Sequence, residues 1–428
     1  MKKLIPQSIR NIYHFAQAFL ANVRYGFPSR RIRIIGVTGT NGKTTTCQMI
    51  ARILEEAGKK AAMASTINFK LGDEEWVNTT KYTTLSAASV QGFIKRAVDA
   101  GCEYLVLETS SHSLHQYRVW GVEYKTAVIT NVTREHLDYH KTIEEYRLAK
   151  KRLFVNAKTA IVNLDMERPE EYLDCPAEKR YGYTTKARSS KLEARNKNSE
   201  LEIIRAKDVE LGLDHSKFQI QNSRFRLGLP GLFNIENALA AVCVGVSEGL
   251  DMTVIAEALG KMKTVPGRME YVPNARGIRI IVDYAVTPDS LEKLYSLIEG
   301  IRSQKEQKII AVFGSCGERD RGKRPIMGEI VSRYADFAIV TNEDPYGEDP
   351  EQIIDEVFAG VVKHKKERTD AWRIMDRRAA IRKALELADP GDIVVVTGKG
   401  AEETMAIKEE RIPWNDKEVI LEELDSLE

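Results

Sequence analysis

The chain has 428 residues, of which 43% are hydrophobic and 29% charged, and its 64 basic and 62 acidic side chains nearly cancel to a formal charge of +2. This length predicts two or three domains, and the balanced charge gives no indication of a nucleic-acid partner. Five scattered cysteines without Cys-x-x-Cys spacing argue against a disulfide framework or a zinc site and favour a reducing cytoplasm.

Residues 1–30 predict an amphipathic helical segment. Apolar side chains recur at helical spacing from Ile5 to Val23, with basic residues around them. Polar residues such as Arg10 and His14 interrupt any signal-peptide core. Two placements stay open: a helix packed on the following domain, which we favour, and a helix that makes peripheral contact with an anionic membrane surface.

The stretch from Arg31 to Thr46 contains the strongest local pattern. A β-branched run from Ile32 to Val37 predicts a buried strand, and Lys43 opens an amphipathic helix after a glycine-rich turn. Amide donors, the helix dipole and an ammonium then converge on one point, which predicts a phosphate-binding loop. Relative to the strict P-loop pattern, the first glycine stands one position early, at Gly36.

Strands and helices alternate beyond this loop. The predicted segments are the strands Ala61–Ile67, Tyr104–Glu108 and Thr126–Thr130, the helices Ser89–Ala100 and Ile143–Phe154, the apolar segment Thr159–Asp165, and a loop or hairpin at 186–198. Such alternation implies a parallel sheet with right-handed crossovers. Ligands bind at the carboxyl ends of the strands in such sheets, where Gly39, Glu108, Asn131 and Asn163 fall.

A domain boundary is predicted at Val265–Arg268, where proline and glycine follow two helices that run through Val244 and over Thr253–Met262. A second α/β series follows, with strands at Ile278–Asp283, Lys308–Phe313, Phe337–Thr341 and Ile393–Thr397. We therefore predict an α/β protein in three parts. The helical segment 1–30 precedes a P-loop-type parallel-sheet central domain at 31–265, and a smaller Rossmann-like α/β domain occupies 266–428.

Several polar residues have two interpretations when they are taken alone. Glu108, at a strand end after a phosphate loop, would hold magnesium or cap the next helix. His136, Asp138 and His140 would form a metal trio, but their spacing is more typical of polar groups in a turn. Lys150 on a helix is by itself typical of a solvated lysine.

Further segments follow the loop Gly36-Val-Thr-Gly39-Thr-Asn-Gly42-Lys43-Thr-Thr in a fixed order. They are Glu108-Thr-Ser-Ser-His-Ser-Leu-His-Gln-Tyr-Arg-Val119, Asn131-Val-Thr-Arg-Glu-His-Leu-Asp-Tyr-His140, Tyr146-Arg-Leu-Ala-Lys150, Gly231-Leu-Phe-Asn-Ile-Glu-Asn237, Pro266-Gly-Arg-Met-Glu270, Val282-Asp-Tyr-Ala285, Gly317-Glu-Arg-Asp-Arg-Gly-Lys-Arg-Pro325 and Gly398-Lys-Gly-Ala-Glu402. The loop resembles that of Mur ligases and folylpolyglutamate synthetases, and the whole series from about residue 31 onward resembles the UDP-N-acetylmuramoyl-dipeptide ligases of the Mur family.

The resemblance implies an ATP-dependent ligase that adds an amino acid to a UDP-N-acetylmuramoyl-dipeptide-like acceptor through an acyl phosphate, in peptidoglycan precursor synthesis. It implies six catalytic residues: Lys43, Glu108, His136, Lys150, Arg268 and Asp283. The implied ATP-binding residues are Gly39, Thr40, Asn41, Gly42, Lys43, Thr44, Thr45, Asn163, Asn237, Arg268 and Asp283. Two magnesium ions would be held by Thr44, Glu108, His136 and a carbamylated Lys150, because a carbamate supplies the oxygen ligands that a hard cation prefers.

The same resemblance assigns the two remaining substrates. The acyl substrate would contact Thr83, Thr84, Ser110, Gln116 and Arg118. The incoming amino acid would contact Arg319, Glu343, Asp344, Pro345, Tyr346, Gly398 and Glu402. Arg268 and Asp283 come from the second domain, so domain closure would complete the ATP site.

Three departures from the family pattern bear on the substrate. Only about thirty residues precede the phosphate loop, where the family has a uridine-nucleotide-binding domain. Val286 stands where the family has histidine, and Leu85 where it has proline. Tyr346 replaces the arginine that clamps the distal carboxylate of diaminopimelate, so the sequence disfavours that amino acid. Glu343, Asp344 and Glu402 would instead favour a side-chain amine, as in lysine.

We predict a monomeric cytoplasmic ligase. One rival within the ligases is a folylpolyglutamate- or cyanophycin-type synthetase that acts on another carboxylate. A rival of a different class is a non-catalytic ATP-binding regulatory module. ATP hydrolysis that requires both an acyl acceptor and an amino acid separates the ligase from the regulatory module.

Overall fold

The structure is a computed structural model that describes residues 7–80, 82–187, 201–212, 214–302 and 306–427. The predicted loop or hairpin at 186–198 lies outside these residues except for its first two positions. The described residues form two compact units, one within Met1–Thr133 and His140–Lys263 and the other within Arg134–Tyr139 and Thr264–Glu428. None of the helices in these ranges combines the length and the apolar character needed to cross a membrane.

The first unit is built on a sheet whose described strands follow the order β4-β3-β2-β5-β1-β6-β7-β8-β9. These strands are β1 (Arg33–Thr38), β2 (Ala61–Ala64), β3 (Asn68–Leu71), β4 (Glu74–Val77), β5 (Tyr104–Glu108), β6 (Tyr124–Ile129), β7 (Thr159–Asn163), β8 (Lys179–Thr184) and β9 (Leu201–Arg205). From β2 to β9 the neighbours are parallel, and β3 and β4 add an antiparallel edge. The predicted parallel sheet is thereby confirmed.

Helices flank this sheet. They are α1 (Gln7–Tyr25), α2 (Lys43–Glu56), α3 (Ala87–Asp99), α4 (Ser111–His115), α5 (Leu137–His140), α6 (Ile143–Lys151), α7 (Glu170–Leu173), α8 (Leu232–Ser247) and α9 (Met252–Gly260). Residues 137–139 of α5 are assigned to the second unit and His140 to the first. A separate antiparallel sheet is formed by β10 (Lys207–Leu211), β11 (Ser216–Ile220) and β12 (Ser223–Leu227).

Two predicted elements end earlier than expected. Strand β2 stops at Ala64 rather than at Ile67, because the Ser65 hydroxyl donates to Asn68 O (3.0 Å) and closes a tight turn into β3. Helix α6 ends at Lys151, and the last turn, Arg152–Phe154, is a 3₁₀ helix. The strands at the centre of the sheet match the prediction closely, since continuous apolar runs are typical of strands buried on both faces.

The second unit has its own sheet, in the order β13-β14-β18-β15-β16-β17. Its strands are β13 (Glu270–Val272), β14 (Arg279–Asp283), β15 (Ile309–Phe313), β16 (Phe337–Thr341), β17 (Ala371–Ile374) and β18 (Ile393–Thr397), and a hairpin of β19 (Thr404–Ile407) and β20 (Glu410–Pro413) follows. Its helices are α10 (Pro288–Ile301), α11 (Lys323–Tyr334), α12 (Pro350–Val361), α13 (Arg377–Leu387) and α14 (Asp416–Asp425). The predicted Rossmann-like α/β character is confirmed, because all pairings from β14 to β17 are parallel.

Candidate active site

The glycine-rich loop joins β1 to α2, and two of its glycines are sterically required. Gly39 has φ +152°, and a Cβ atom there would lie 1.9 Å from the Thr130 hydroxyl oxygen. Gly42, the N-cap of α2, has φ +82°, and a Cβ atom would lie 2.2 Å from Asn237 Oδ1. A side chain at either position would therefore collide with a neighbour, so these two glycines allow the loop to turn tightly into the N-terminus of α2.

The loop is held by the segment that follows β6. Asn131 accepts from the backbone amides of Thr40, through its carbonyl, and of Asn41, through Oδ1, both at 2.9 Å. The Thr130 hydroxyl donates to Asn41 O at 2.6 Å, and the Thr133 amide donates to Thr40 Oγ1 at 3.0 Å. Because β1 and β6 are adjacent parallel strands, their carboxyl ends bring these two segments together.

The residues predicted to hold magnesium at the helix start are clustered around Glu108. Thr44 Oγ1 donates to Glu108 Oε2 at 3.0 Å, and the Glu108 side chain is buried. Thr66, which the sequence prediction missed, donates to the same carboxylate through its amide (2.7 Å) and its hydroxyl (2.8 Å). Lys43 Nζ donates to Thr40 O at 2.8 Å, so its ammonium stays within the loop, and Thr45 is buried in the first turn of α2.

Lys150 is not the solvated lysine that its position on a helix suggested. Only 1% of it is exposed, and its Nζ donates to Gly39 O at 2.7 Å. Nζ also lies 4.2 Å from the centroid of the Tyr146 ring. Burial, and secondarily the nearby Lys43 ammonium, lower the pKa of Lys150 well below its ordinary value. The phosphate loop and a weakly basic amine therefore share one hydrogen-bonded network.

The three residues considered as a metal trio do not form one cluster. His136, with φ +57°, and Asp138 belong to the second compact unit, whereas His140 belongs to the first. His140 Nε2 lies 3.0 Å from Ser111 Oγ, and burial lowers the pKa of His140 to about 4. Throughout the described ranges, no three His, Cys, Asp or Glu side chains are grouped so that they could hold a metal ion by themselves.

The two asparagines assigned to ATP are engaged within the protein. Asn163 Nδ2 donates to Thr130 O at 2.8 Å, and its Oδ1 accepts from the Asp165 amide at 2.9 Å. Asn237, on α8, accepts from the Thr46 hydroxyl at 3.4 Å. Asn163 thus hydrogen-bonds Thr130, the residue after β6 that itself contacts the glycine-rich loop. Asn237 lies directly against Gly42.

The residues assigned to the acyl substrate lie beside Glu108. Thr84 Oγ1 donates to Glu108 O at 3.0 Å and accepts from the Ser110 amide at 2.9 Å. The Arg118 guanidinium donates to the carbonyls of Thr84 and Leu85, and Thr83 Oγ1 lies 3.2 Å from Thr66 Oγ1. Gln116 caps the short helix α4. The first unit thus brings Thr83, Thr84, Ser110 and Arg118 together.

Arg268 and Asp283 are neighbours in the second unit. The Arg268 guanidinium carbon lies 4.4 Å from the centroid of the Tyr284 ring. Asp283, the last residue of β14, accepts from the Met269 amide at 2.7 Å. Burial raises the pKa of the Asp283 carboxyl, and Arg268 opposes that rise.

Lys399, which was not among the predicted site residues, adds a positive charge to the group of residues predicted to contact the amino acid. It is fully buried, and its Nζ donates to Asp344 Oδ1 at 2.9 Å and to Glu402 Oε2 at 2.5 Å. Burial lowers its pKa, but the two carboxylates outweigh this effect and raise it. Two of the three carboxylates expected to attract a side-chain amine therefore already have a counter-ion.

The third carboxylate, Glu343, is almost completely buried. Its Oε1 accepts from Cys316 Sγ at 2.8 Å, and within the described residues its Oε2 has no hydrogen-bond partner. Burial raises the pKa of Glu343, and burial together with Glu343 raises the pKa of the Cys316 thiol. Gly398, with φ +114°, admits this carboxylate, because a Cβ atom there would lie 2.6 Å from Oε2.

Tyr346 and Pro345 form a turn beside this carboxylate. Tyr346 has φ +50°, and its ring centroid lies 5.9 Å from the guanidinium carbon of Arg319. The Pro345 carbonyl packs against Gly317, where a Cβ atom would lie 2.0 Å from the oxygen. The predicted residues Arg319, Glu343, Asp344, Pro345, Tyr346, Gly398 and Glu402 are thus one contiguous group.

Val286, which stands where the family pattern has histidine, makes a hydrogen bond through its backbone carbonyl. Val286 O accepts from the buried Lys323 Nζ at 2.9 Å, and Lys323 also donates to Glu135 Oε1 at 3.0 Å. Burial raises the pKa of Glu135, and Lys323 opposes that rise.

Comparison with known families gives two matches in chain order. The family model described as the Mur ligase middle domain matches residues 37–245, and the one described as the Mur ligase, glutamate ligase domain matches residues 267–400. Together they contain nearly all the residues described above.

Curated relatives and solved structures agree with these matches. The chain is 40% identical to a UDP-N-acetylmuramoyl-L-alanyl-D-glutamate–2,6-diaminopimelate ligase of Syntrophomonas wolfei, over 95% of this chain and 81% of the relative. It is 39% identical to a UDP-N-acetylmuramyl-tripeptide synthetase of Roseiflexus, over 94% of this chain and 80% of the relative. A solved structure titled as a ligase of the diaminopimelate-adding type is 32% identical, with a TM-score of 0.58, over 92% of this chain and 79% of that one. Folylpolyglutamate synthase of Mycobacterium tuberculosis with ADP, at 16% identity and a TM-score of 0.68 over 90% of this chain and 91% of that one, shares the fold.

Proposed function

The chain belongs to the Mur ligase family, whose members use ATP to form amide bonds, and on that premise we propose that it adds an amino acid to a UDP-N-acetylmuramoyl-dipeptide-like acceptor. The nucleotide-binding domain would span 31–265 and the C-terminal domain 266–428. The observation that carries this proposal is the network in which the phosphate loop, Glu108 and the buried Lys150 are joined at the carboxyl ends of adjacent strands.

The proposed reaction has two steps. A carboxylate oxygen of the acceptor attacks the γ-phosphorus of ATP, the bond to the β,γ-bridging oxygen breaks, and ADP leaves. The amine of the amino acid then attacks the acyl carbon, loses a proton, and inorganic phosphate departs with the bonding electrons. Lys43 and the backbone amides at the N-terminus of α2 would neutralise charge on the phosphates, with Arg268 contributing from the second unit.

We assign magnesium binding to Thr44 and Glu108, because a hydroxyl and a buried carboxylate 3.0 Å apart supply oxygen ligands suited to a hard cation. When bound, the ion would neutralise phosphate charge. His136 and Lys150 would bind a second ion. We propose that Lys150 is carbamylated, since its lowered pKa favours the free amine that adds to CO₂ with release of one proton.

The acyl substrate would be held by Thr83, Thr84, Ser110, Gln116 and Arg118. Arg118 supports this assignment, because its guanidinium is held by hydrogen bonds to the carbonyls of Thr84 and Leu85, beside the Ser110 hydroxyl that bonds to Thr84. A guanidinium at this place would pair with a carboxylate or phosphate of the acceptor.

We propose that the added amino acid is not meso-diaminopimelate. Tyr346 cannot form the bidentate pair by which an arginine would bind a second carboxylate. Lysine is the leading candidate, but Glu343 rather than all three carboxylates would carry the preference, because Lys399 already pairs with Asp344 and Glu402.

Phosphate release from ATP tests this function. Purified protein is given ATP and Mg²⁺ with the UDP-N-acetylmuramoyl-dipeptide, with a panel of amino acids, or with both. We expect release only with both substrates, and highest kcat/KM for an amino acid without a distal carboxylate. The highest value for diaminopimelate would refute the specificity, and substrate-independent hydrolysis would favour a regulatory ATP-binding module. Turnover with a folate or another carboxylate, but not with the muramoyl peptide, would favour the other ligase class.

We also propose that the enzyme is a monomer in the cytoplasm. A light-scattering mass of 48.3 kDa in lipid-free buffer is the expected result.

A further inference from the structure

Helix α1 packs on the first unit through its small and polar face. Ala18, Ala21 and Asn22 are buried, and Asn22 Nδ2 donates to Trp120 O at 2.9 Å. The fit at this contact is close, since a Cβ atom on Gly121 would lie 2.6 Å from the Asn22 amide. Phe15 and Phe19 add aromatic contacts to the docking face, with ring centroids 4.9 and 5.9 Å from that of Trp120.

The apolar face of α1 is left exposed. Ile9, Ile12, Tyr13, Leu20 and Val23 are 56%, 69%, 62%, 65% and 53% exposed. The other four follow Ile9 by three, four, eleven and fourteen residues, which places all five on one stripe along the helix. An amphipathic helix ordinarily buries this stripe in its own domain, so its exposure indicates an external apolar partner.

The charge around this stripe has one sign. The first acidic residue of the chain is Glu55, so all charged side chains of the N-terminal helix and the turn after it are basic. On the helix itself the basic residues are Arg10 and Arg24, whereas beyond it Arg30 pairs with Glu123 and Arg33 with Glu248. A basic flank beside an exposed apolar stripe complements an anionic lipid surface, on which the side chains enter the acyl boundary and the cations meet the headgroups.

We propose that the stripe of Ile9, Ile12, Tyr13, Leu20 and Val23 binds an anionic membrane surface and holds the enzyme there peripherally. A second copy of the chain is the less favoured occupant, because pairing two such helices brings cations together without counter-charge. The proposal does not depend on the identity of the amino acid or the acceptor.

Co-sedimentation with lipid vesicles tests the proposal on the full-length protein. We expect the protein to bind vesicles of equal parts phosphatidylglycerol and phosphatidylcholine and to remain in the supernatant with pure phosphatidylcholine. The double variant Ile12→Ser/Leu20→Ser should weaken vesicle binding at least about tenfold, since each substitution removes an aliphatic side chain that the lipid would bury. Arg10→Gln/Arg24→Gln should also weaken binding.

Val362→Ser is the matched control, because Val362 is a 51% exposed aliphatic residue of the second unit and does not belong to the stripe. It should bind vesicles as the native protein does, and circular dichroism establishes that all variants are folded. Equal binding to neutral vesicles, or unchanged binding of Ile12→Ser/Leu20→Ser, would overturn the proposal. A dimer that this double variant abolishes, without any vesicle binding, would overturn it in favour of a second copy.

Discussion

At the scale of single residues, burial places two lysines in environments that shift their pKa away from the ordinary value. Lys150 and Lys399 are both almost inaccessible, yet their surroundings shift their pKa in opposite directions. Lys150 faces a carbonyl and a second cation, whereas Lys399 faces two carboxylates. The first is therefore suited to react as a free amine, and the second to serve as a fixed counter-ion.

Lys150→Gln should lower kcat by on the order of a hundredfold or more, because it removes the amine proposed to supply carbamate oxygens to a metal. Phosphate release with both substrates is the measurement, and circular dichroism checks the fold. Lys151→Gln, one residue away and only partly buried, is the control and should retain activity. In native enzyme, removal of CO₂ should lower the rate and bicarbonate should restore it, and insensitivity to CO₂ would contradict the carbamate.

Lys399→Met should destabilise the protein by about 3–5 kcal/mol, because it leaves Asp344 and Glu402 without their buried counter-ion. Urea unfolding followed by circular dichroism gives the free energy of unfolding. Lys363→Met is the matched control, since its ion pair with Glu329 lies at the surface and should cost less than about 1 kcal/mol. Equal losses in the two variants would show that the buried pair has no special role.

At the scale of elements, three short helices meet around His140. The His140 ring lies 5.4 Å from His112 and 5.6 Å from His115, both on α4, and 5.1 Å from Tyr146 on α6. The same helix α6 carries Lys150. A proton taken up by His140 would introduce a charge among buried side chains, so we expect the packing around His140 to weaken at low pH.

Stability should fall as the pH drops from 6.5 toward 4. The folded-state pKa of His140 is about 4, below its ordinary value of 6.5, so over this range the unfolded chain binds more protons than the folded one. The stabilisation is complete above pH 6.5 and is lost as the pH falls through 4, by up to about 3 kcal/mol for this group alone. Urea unfolding at several pH values should show a shallower slope in His140→Asn, whereas His364→Asn, at an exposed site, should keep the native slope.

At the scale of the whole molecule, the proposed catalytic groups are divided between two units, each with its own core. The first core surrounds residues such as Ile34, Leu105 and Ile129, and the second surrounds Val282, Val312 and Val394. Phosphate binding is assigned to the first unit and amino-acid binding to the second. We therefore expect ligation to require both units even though each has its own core.

Arg268→Ala should lower kcat on the order of a hundredfold, because it removes a cation proposed to stabilise charge on the transferring phosphoryl group. Nucleotide binding by the phosphate loop should be changed much less, as a fluorescent ATP analogue can measure. Arg333→Ala, which removes a surface arginine paired with Glu292, should leave both quantities unchanged. Unaltered kcat in Arg268→Ala would remove this residue from the mechanism.

Much of the fold and part of the site could be predicted from local sequence. The strand before Gly39, the buried run Tyr104–Glu108 and the strands of the second unit were recognised because a continuous apolar run depends little on distant neighbours. The contiguity of Arg319, Glu343 and Tyr346 followed only from resemblance, since these residues are separated along the chain. Thr66 and Lys399 were missed, because their roles depend on the partners that folding brings to them.

What the sequence determined by itself was therefore the local chemistry: a glycine-rich loop that turns into a helix N-terminus, a β-branched strand that leads into it, and an N-terminal helix with one apolar face. The tertiary structure decided the environment of each group. It buried Lys150 beside Lys43, paired Lys399 with two carboxylates, and turned the apolar face of α1 outward. Dihedral preferences and side-chain spacing act over a few residues, whereas desolvation and charge pairing depend on which distant segments become neighbours.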